Sequence, residues 1–202
     1  MTPRVRTALL ISGRGSNMRA LIAAARAPDF AAEIALVLSD QPDAAGLESA
    51  RKMGVAAAAL DFRSYPGKAG FESALDQRLR AARVELICLA GFMRILSAPF
   101  VEQWSGRILN IHPSLLPDLR GLKTHERALA EGRAEHGCTV HYVSAELDAG
   151  PIVAQARVPV RKGDDPETLA ARVLVEEHRI YPLALDKVAR ALGATGARAA
   201  QA

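Results

Sequence analysis

Residues 5–27 read VRTALLISGRGSNMRALIAAARA, and the order of chemistry in that stretch decides the fold. Val5–Ser12 is an apolar run that reads as a strand. The glycines of Ser12-Gly13-Arg14-Gly15-Ser16-Asn17 break it, and apolar residues then recur at helical spacing over about Asn17–Ala27. The same alternation continues outward. Glu33–Ser39 reads as a strand and Ala44–Met53 as a helix. Gly54–Leu60 is a weak alanine-rich strand, Gly67–Arg83 an amphipathic helix, and Val84–Ala90 a nearly continuous apolar strand of the kind buried on both faces of a parallel sheet. Strands alternating with helices of this length predict a doubly wound, mostly parallel α/β sheet.

The second half reads differently. Arg107–His112 is a strand ended by Pro113, and Lys123–Glu131 a short helix capped by Gly132. Cys138–Val143 and Ile152–Val160 flank the turn-like Asp148-Ala149-Gly150-Pro151, which predicts an antiparallel hairpin added to the C-terminal side of the sheet. Asp165 as N-cap and Pro166 at the first helical position open a long helix to about Leu192. Pro182 should kink or interrupt that helix, and 193–202 read as a frayed tail. No repeat or linker stands out, so residues 1–202 are expected to form one domain.

Composition narrows the function. A chain of 202 residues, 50% of them hydrophobic, can bury a core without metal or disulfide staples. No apolar run approaches the roughly eighteen residues of a membrane span, and the N-terminus lacks the apolar length of a signal peptide. Cys88 and Cys138 sit in apolar or β-branched runs and read as reduced core thiols. A cytoplasmic protein with no membrane partner is expected. The net charge of +4 is scattered rather than gathered in a Lys/Arg block, and 4% aromatics offer few stacking platforms, so nucleic acid is not the expected partner. A modest positive bias equally suits a small anionic substrate.

Two constellations carry chemistry. The Gly13–Asn17 loop stands at the carboxyl end of the first strand, where open α/β sheets bind ligands, and leads into a helix N-terminus. It matches neither GxGxxG nor GxxxxGK[ST], so a single phosphate suits it better than a dinucleotide or nucleoside triphosphate. A tight turn needing glycine only for its dihedrals is the competing reading. In Asn110-Ile111-His112-Pro113, the amide and the imidazole share one strand face. An amide can donate to a developing oxyanion and an imidazole can move a proton, although a histidine satisfied by its neighbours has the same signature. Asp148 would orient His112 if the fold brought them together; otherwise it is a turn-former. His125 and His136 read as surface residues, and His141 alternates with Thr139 and Val143 on one strand face. No histidine pair has metal-ligand spacing and the cysteines are too far apart for CxxC, so no metal is expected.

ISGRGSNMRALI (11–22), LAGFMRILS (89–97), LNIHPSLLP (109–117), GCTVHYVSAELDAGPI (137–152) and EEHRIYPL (176–183) follow one another through almost the whole chain. In these stretches the sequence resembles the folate-dependent glycinamide ribonucleotide formyltransferase family. The resemblance implies a formyltransferase-type sheet, with an N-terminal half for the ribonucleotide and a C-terminal half for folate and catalysis. It implies formyl transfer from 10-formyltetrahydrofolate to glycinamide ribonucleotide, directly through a tetrahedral intermediate, by a monomer or weak homodimer. By the same resemblance Asn110, His112 and Asp148 match the catalytic trio. Gly13, Arg14, Gly15, Ser16, Asn17 and Glu177 match the ribonucleotide site. Met93, Arg94, Ile95 and Leu96, with Asn110, match the folate site, and Lys68 stands near a basic folate-contacting position for which Arg63 is a rival. Lys123 stands where some relatives carry histidine. Methionyl-tRNA formyltransferases share the Asn-x-His motif and formyltetrahydrofolate hydrolases are another relative, but the SGRGSN loop and the length set the expectation against both. A non-enzymatic binding module would explain the strands without needing Asn110, His112 and Asp148 together.

Overall fold

The computed structural model describes residues 4–199, with side chains described through Ala194. The opening run forms strand β1 (Val5–Ile11), and helix α1 (Ser16–Ala24) follows the glycine loop. Then come β2 (Ala32–Ser39), α2 (Ala45–Lys52), the short β3 (Ala57–Ala59) and α3 (Gly67–Ala81). β4 (Leu86–Leu89) is followed by α4 (Ala98–Gln103) and β5 (Ile108–His112). α5 (Thr124–Ala130), β6 (Glu135–Tyr142), β7 (Ile152–Pro159) and α6 (Pro166–Ala199) complete the described chain.

The seven strands form one sheet in the order β3-β2-β1-β4-β5-β6-β7. β1 to β5 pair parallel, and β6 and β7 are added antiparallel, as the hairpin reading expected. The strand order reverses between β1 and β4. In open α/β sheets the crevice beyond the carboxyl ends of the strands at such a reversal is where ligands sit. Here those two ends lead into the Gly13–Asn17 loop and the 91–96 segment.

Alternation along β1 explains the two cores. Leu9 and Ile11 face a cluster that includes Leu21, Val173, Tyr181 and Leu185, from α1 and α6. Ala8 and Leu10 face the opposite cluster, with Phe71, Leu75 and Leu79 of α3 and Phe100 of α4. A strand apolar on both faces therefore needs helices on both, which is the doubly wound arrangement. Tyr181, fully buried, places its hydroxyl 3.1 Å from the Leu89 carbonyl and 3.2 Å from that of Leu109. It ties α6 to the two strands whose ends form the site.

Three features depart from the sequence reading. α4 and a 3-10 turn at Phe62–Ser64 were not expected; Ser97 caps α4 by accepting the Phe100 N–H, with Pro99 in the first turn. Pro182 does not interrupt α6, which runs unbroken through it to Ala199, beyond the expected end at Leu192 and into the segment expected to fray. Ile180, Tyr181, Ala184 and Leu185 around the proline are all buried against the sheet, and this packing outweighs one missing backbone donor. The last three residues of the expected tail lie outside the described residues. Finally, His136 is 1% exposed rather than a surface residue. Its ring stacks edge-on against His125, with Nε2 3.1 Å from His125 Nδ1. Burial first, then the neighbouring His125 charge, pushes the His136 pKa down to about 4.

Candidate active site

β5 presents Asn110 and His112 on one face, as their spacing requires, and each is held by a different part of the fold. The antiparallel register sets Asn110 opposite His141 of β6. Asn110 Nδ2 lies 3.1 Å from His141 Nε2, while His141 Nδ1 lies 2.9 Å from the Tyr142 carbonyl. Burial lowers the His141 pKa, only partly offset by the Tyr142 carbonyl and the Asp148 charge. The neutral ring with its proton on Nδ1 satisfies both contacts: Nδ1–H donates to Tyr142 and Nε2 accepts from the amide. That leaves the second amide N–H of Asn110 free to meet a substrate oxygen. His141 was read only as a residue alternating along a strand. It belongs to the site.

His112 is 6% exposed. Its Nε2 lies 3.0 Å from the Leu119 carbonyl, and its Nδ1 3.4 Å from Asp148 Oδ2. Both ring nitrogens thus face acceptors, and a ring carrying a proton on each satisfies both. The loop after β5 aims these groups. Leu119 adopts φ 53°, a left-handed conformation that a branched side chain rarely takes, and its carbonyl faces His112 as a result. Two residues on, the Gly121 N–H donates to Asp148 Oδ2 at 2.9 Å. Asp148 itself has φ 50°, and its Oδ1 is 3.7 Å from His141 Nε2. The turn that carries it requires glycine at 150, where a Cβ would stand 1.8 Å from the Tyr142 carbonyl. The carboxylate therefore faces both imidazoles from a turn with little freedom, and the turn-former reading of Asp148 is incomplete.

These side chains line a cavity of about 490 Å³. Its remaining wall is mostly apolar, formed by Met93, Ile95, Leu96 and Val143 among others, with Arg94 also on the wall. Lys68 and Arg63 are not on it: Lys68 is exposed in the first turn of α3, and Arg63 is paired with Asp61. Lys123 does line it, at the N-terminal end of α5.

The Gly13–Asn17 loop lies outside that wall but next to it. Gly15 takes φ 69° at the start of α1, as the turn reading expects. From α6, Glu177 reaches the end of the loop and accepts a 2.6 Å hydrogen bond from Asn17 Nδ2. Glu177 is 8% exposed, and burial raises its pKa while the Asn17 bond lowers it. A glutamate on a helix is ordinarily solvated; this one is buried against the loop. Among the described residues no group of His, Cys, Asp and Glu gathers as metal ligands. Cys88 and Cys138 are free and buried, and burial pushes both thiols up to about 12. No helix among the described residues is long and apolar enough to cross a membrane.

The formyl transferase family model matches residues 5–185. The phosphoribosylglycinamide formyltransferase of Escherichia coli K12 is 45% identical over 178 residues, which is 88% of this chain and 84% of that protein. The bovine trifunctional purine biosynthetic protein adenosine-3 is 47% identical over 92% of this chain, which spans only 18% of that longer protein. Among solved structures, phosphoribosylglycinamide formyltransferase from Brucella melitensis is 53% identical, with a TM-score of 0.89 over 92% of this chain and 96% of that one. Glycinamide ribonucleotide transformylase 1 from Symbiobacterium toebii is 47% identical, with a TM-score of 0.91 over 93% of this chain and 89% of that one.

Proposed function

The chain belongs to the formyl transferase family, and we propose that it transfers the formyl group of 10-formyltetrahydrofolate to the amine of phosphoribosylglycinamide in purine biosynthesis. The observation that carries this reading is the convergence of Asn110, His112 and Asp148, from a strand end and a separate turn, on one cavity with apolar walls. A pocket with few polar groups and a long apolar wall suits a flat heteroaromatic donor. The 94–96 backbone is then available to hydrogen-bond its edge. The Gly13–Asn17 loop, with Arg14 for charge and the α1 N-terminus behind it, holds the ribonucleotide phosphate, and Glu177, bonded to Asn17, contacts the same ribonucleotide. The described chain works as one domain with a ribonucleotide half and a folate half.

The chemistry needs no covalent nucleophile. The substrate amine, free of its extra proton, adds to the formyl carbon, and the carbonyl π electrons move onto oxygen. Asn110 donates to that oxygen, and His112, with Asp148 beside it, provides positive charge. Donating Nε2–H directly would require His112 to exchange the Leu119 carbonyl for the substrate. Donors of this kind are each worth about 10²–10³ in rate. Asp148 also organises the water that carries the proton from the attacking amine to the leaving nitrogen. Collapse of the intermediate breaks the bond to the donor and restores the carbonyl.

The test is turnover by purified protein with both substrates, following tetrahydrofolate release and omitting each in turn. The proposal expects turnover that requires both and collapses in His112→Ala. Tetrahydrofolate released without the ribonucleotide would instead indicate a hydrolase.

A further inference from the structure

Ser12, Asp40 and the start of the 93–96 segment form a hydrogen-bonded junction, buried at its carboxylate, between the two proposed substrate segments. Asp40 directly follows β2, and its side chain is 2% exposed. Its Oδ1 accepts the Ser12 hydroxyl at 2.5 Å. Its Oδ2 accepts Arg94 Nε at 2.7 Å and Gln41 Nε2 at 2.9 Å. Ser12 Oγ in turn accepts the Met93 backbone N–H at 2.8 Å, and the Ser12 N–H donates to the Gly91 carbonyl at 3.0 Å. The Arg94 guanidinium also lies 3.5 Å over the Phe62 ring.

The 93–96 segment needs such a hold. Met93 and Ile95 are 70% and 63% exposed, so packing of their side chains does little to fix the backbone. A carboxylate suits the junction better than its amide, because every group facing Asp40 is a donor. An amide at that place would turn its own N–H₂ towards either Ser12 Oγ or the donors of Arg94 and Gln41. A buried carboxylate is tolerable only with such partners.

We propose that Asp40 is a positioning residue that locks the folate segment to the loop holding the ribonucleotide phosphate, acting through Ser12 and Arg94. The inference rests on the proposed function. Asp40 touches neither substrate; it sets where the 93–96 backbone stands when the donor arrives.

The experiment measures steady-state turnover and, separately, equilibrium binding of tetrahydrofolate by intrinsic fluorescence, in wild type, Asp40→Ala, Asp40→Asn and Ser12→Ala. Loss of one charge-assisted contact corresponds to about tenfold in affinity. Asp40→Ala is expected to raise the donor KM and the tetrahydrofolate Kd by about tenfold, while kcat and the ribonucleotide KM change by less than about threefold. Asp40→Asn keeps one acceptor and recovers part of the loss. Ser12→Ala shifts the same quantities in the same direction, and the double variant is less than additive because both act on one network. Ser12→Ala carries the test if Asp40→Ala does not fold. Wild-type folate binding matched by Asp40→Ala and Ser12→Ala would overturn the proposal alone, as would equal losses in kcat and both KM values. A wild-type protein that binds no folate would remove the proposed function, and this inference with it.

Discussion

Asn110 and His141 face each other across the β5–β6 pair with 3.1 Å between amide nitrogen and ring nitrogen, so a histidine fixes which way the Asn110 amide points. The contact requires a lone pair on His141 Nε2. His141→Ala removes the acceptor and frees the amide to rotate; kcat should fall about tenfold or more, a part of what deleting an oxyanion donor costs. His141→Gln, whose carbonyl can accept, should recover part of it. The acid side of the profile follows from the same contact. The His141 pKa is lowered by burial, so the ring is neutral near pH 7 and gains its proton only on acidification below its ordinary value. A proton on Nε2 would then oppose the amide N–H₂. The kcat of wild type should therefore carry an acid limb that His141→Gln lacks, read from the two pH profiles.

Glu177 holds the Gly13–Asn17 loop from the far end of the chain by its bond to Asn17. Glu177→Ala should raise the KM for the ribonucleotide by about tenfold and leave that for the folate nearly unchanged, a loss of one charge-assisted hydrogen bond. Equal changes in both constants would contradict the assignment.

Tyr181→Phe removes a hydroxyl that reaches two strand carbonyls, at Leu89 and Leu109, in the fully buried core. The expected loss is about 1–2 kcal/mol in urea unfolding, the cost of an unsatisfied buried group, with the ring's packing intact. Because the carbonyls belong to β4 and β5, kcat should fall only modestly.

His136 sets a pH window for stability. Its pKa is about 4 in the fold and about 6.5 in the unfolded chain, so its contribution is fully present above pH ~6.5. As pH falls from there towards 4 the unfolded chain takes up a proton that the fold does not, and stability drops by up to about 3 kcal/mol. Urea midpoints of wild type and His136→Gln across that range should show the steeper fall in wild type. Parallel curves would contradict it. The contact with His125, whose pKa is also lowered by burial, makes the pair titrate together.

What could be read from the sequence was local. The turn between β1 and α1, the Asn-x-His spacing on β5, the antiparallel hairpin and the Asp165-Pro166 start of α6 each depend on neighbours a few residues away. The Asp165 cap is present as expected, accepting the Thr168 N–H at 2.8 Å. Pairings across the chain were not legible. Strand register alone puts His141 against Asn110, and no spacing predicts the 160-residue separation of Asn17 from Glu177. His136 looked like a surface residue because its partner His125 lies on α5, outside its own strand. α4 spans only six residues, too few to show a helical period. The resemblance pointed to Lys68 by position along the chain, and the fold leaves that side chain off the cavity wall.

The central claim is that Asp148 and His112 act as one catalytic unit with Asn110. Turnover of Asp148→Asn compared with wild type tests it most directly, since the amide keeps a carbonyl for the Gly121 N–H but loses the charge facing His112. A fall in kcat of about 10²–10⁴ with both KM values within a few-fold is the expected result. An Asp148→Asn protein that turns over at the wild-type rate would contradict the account.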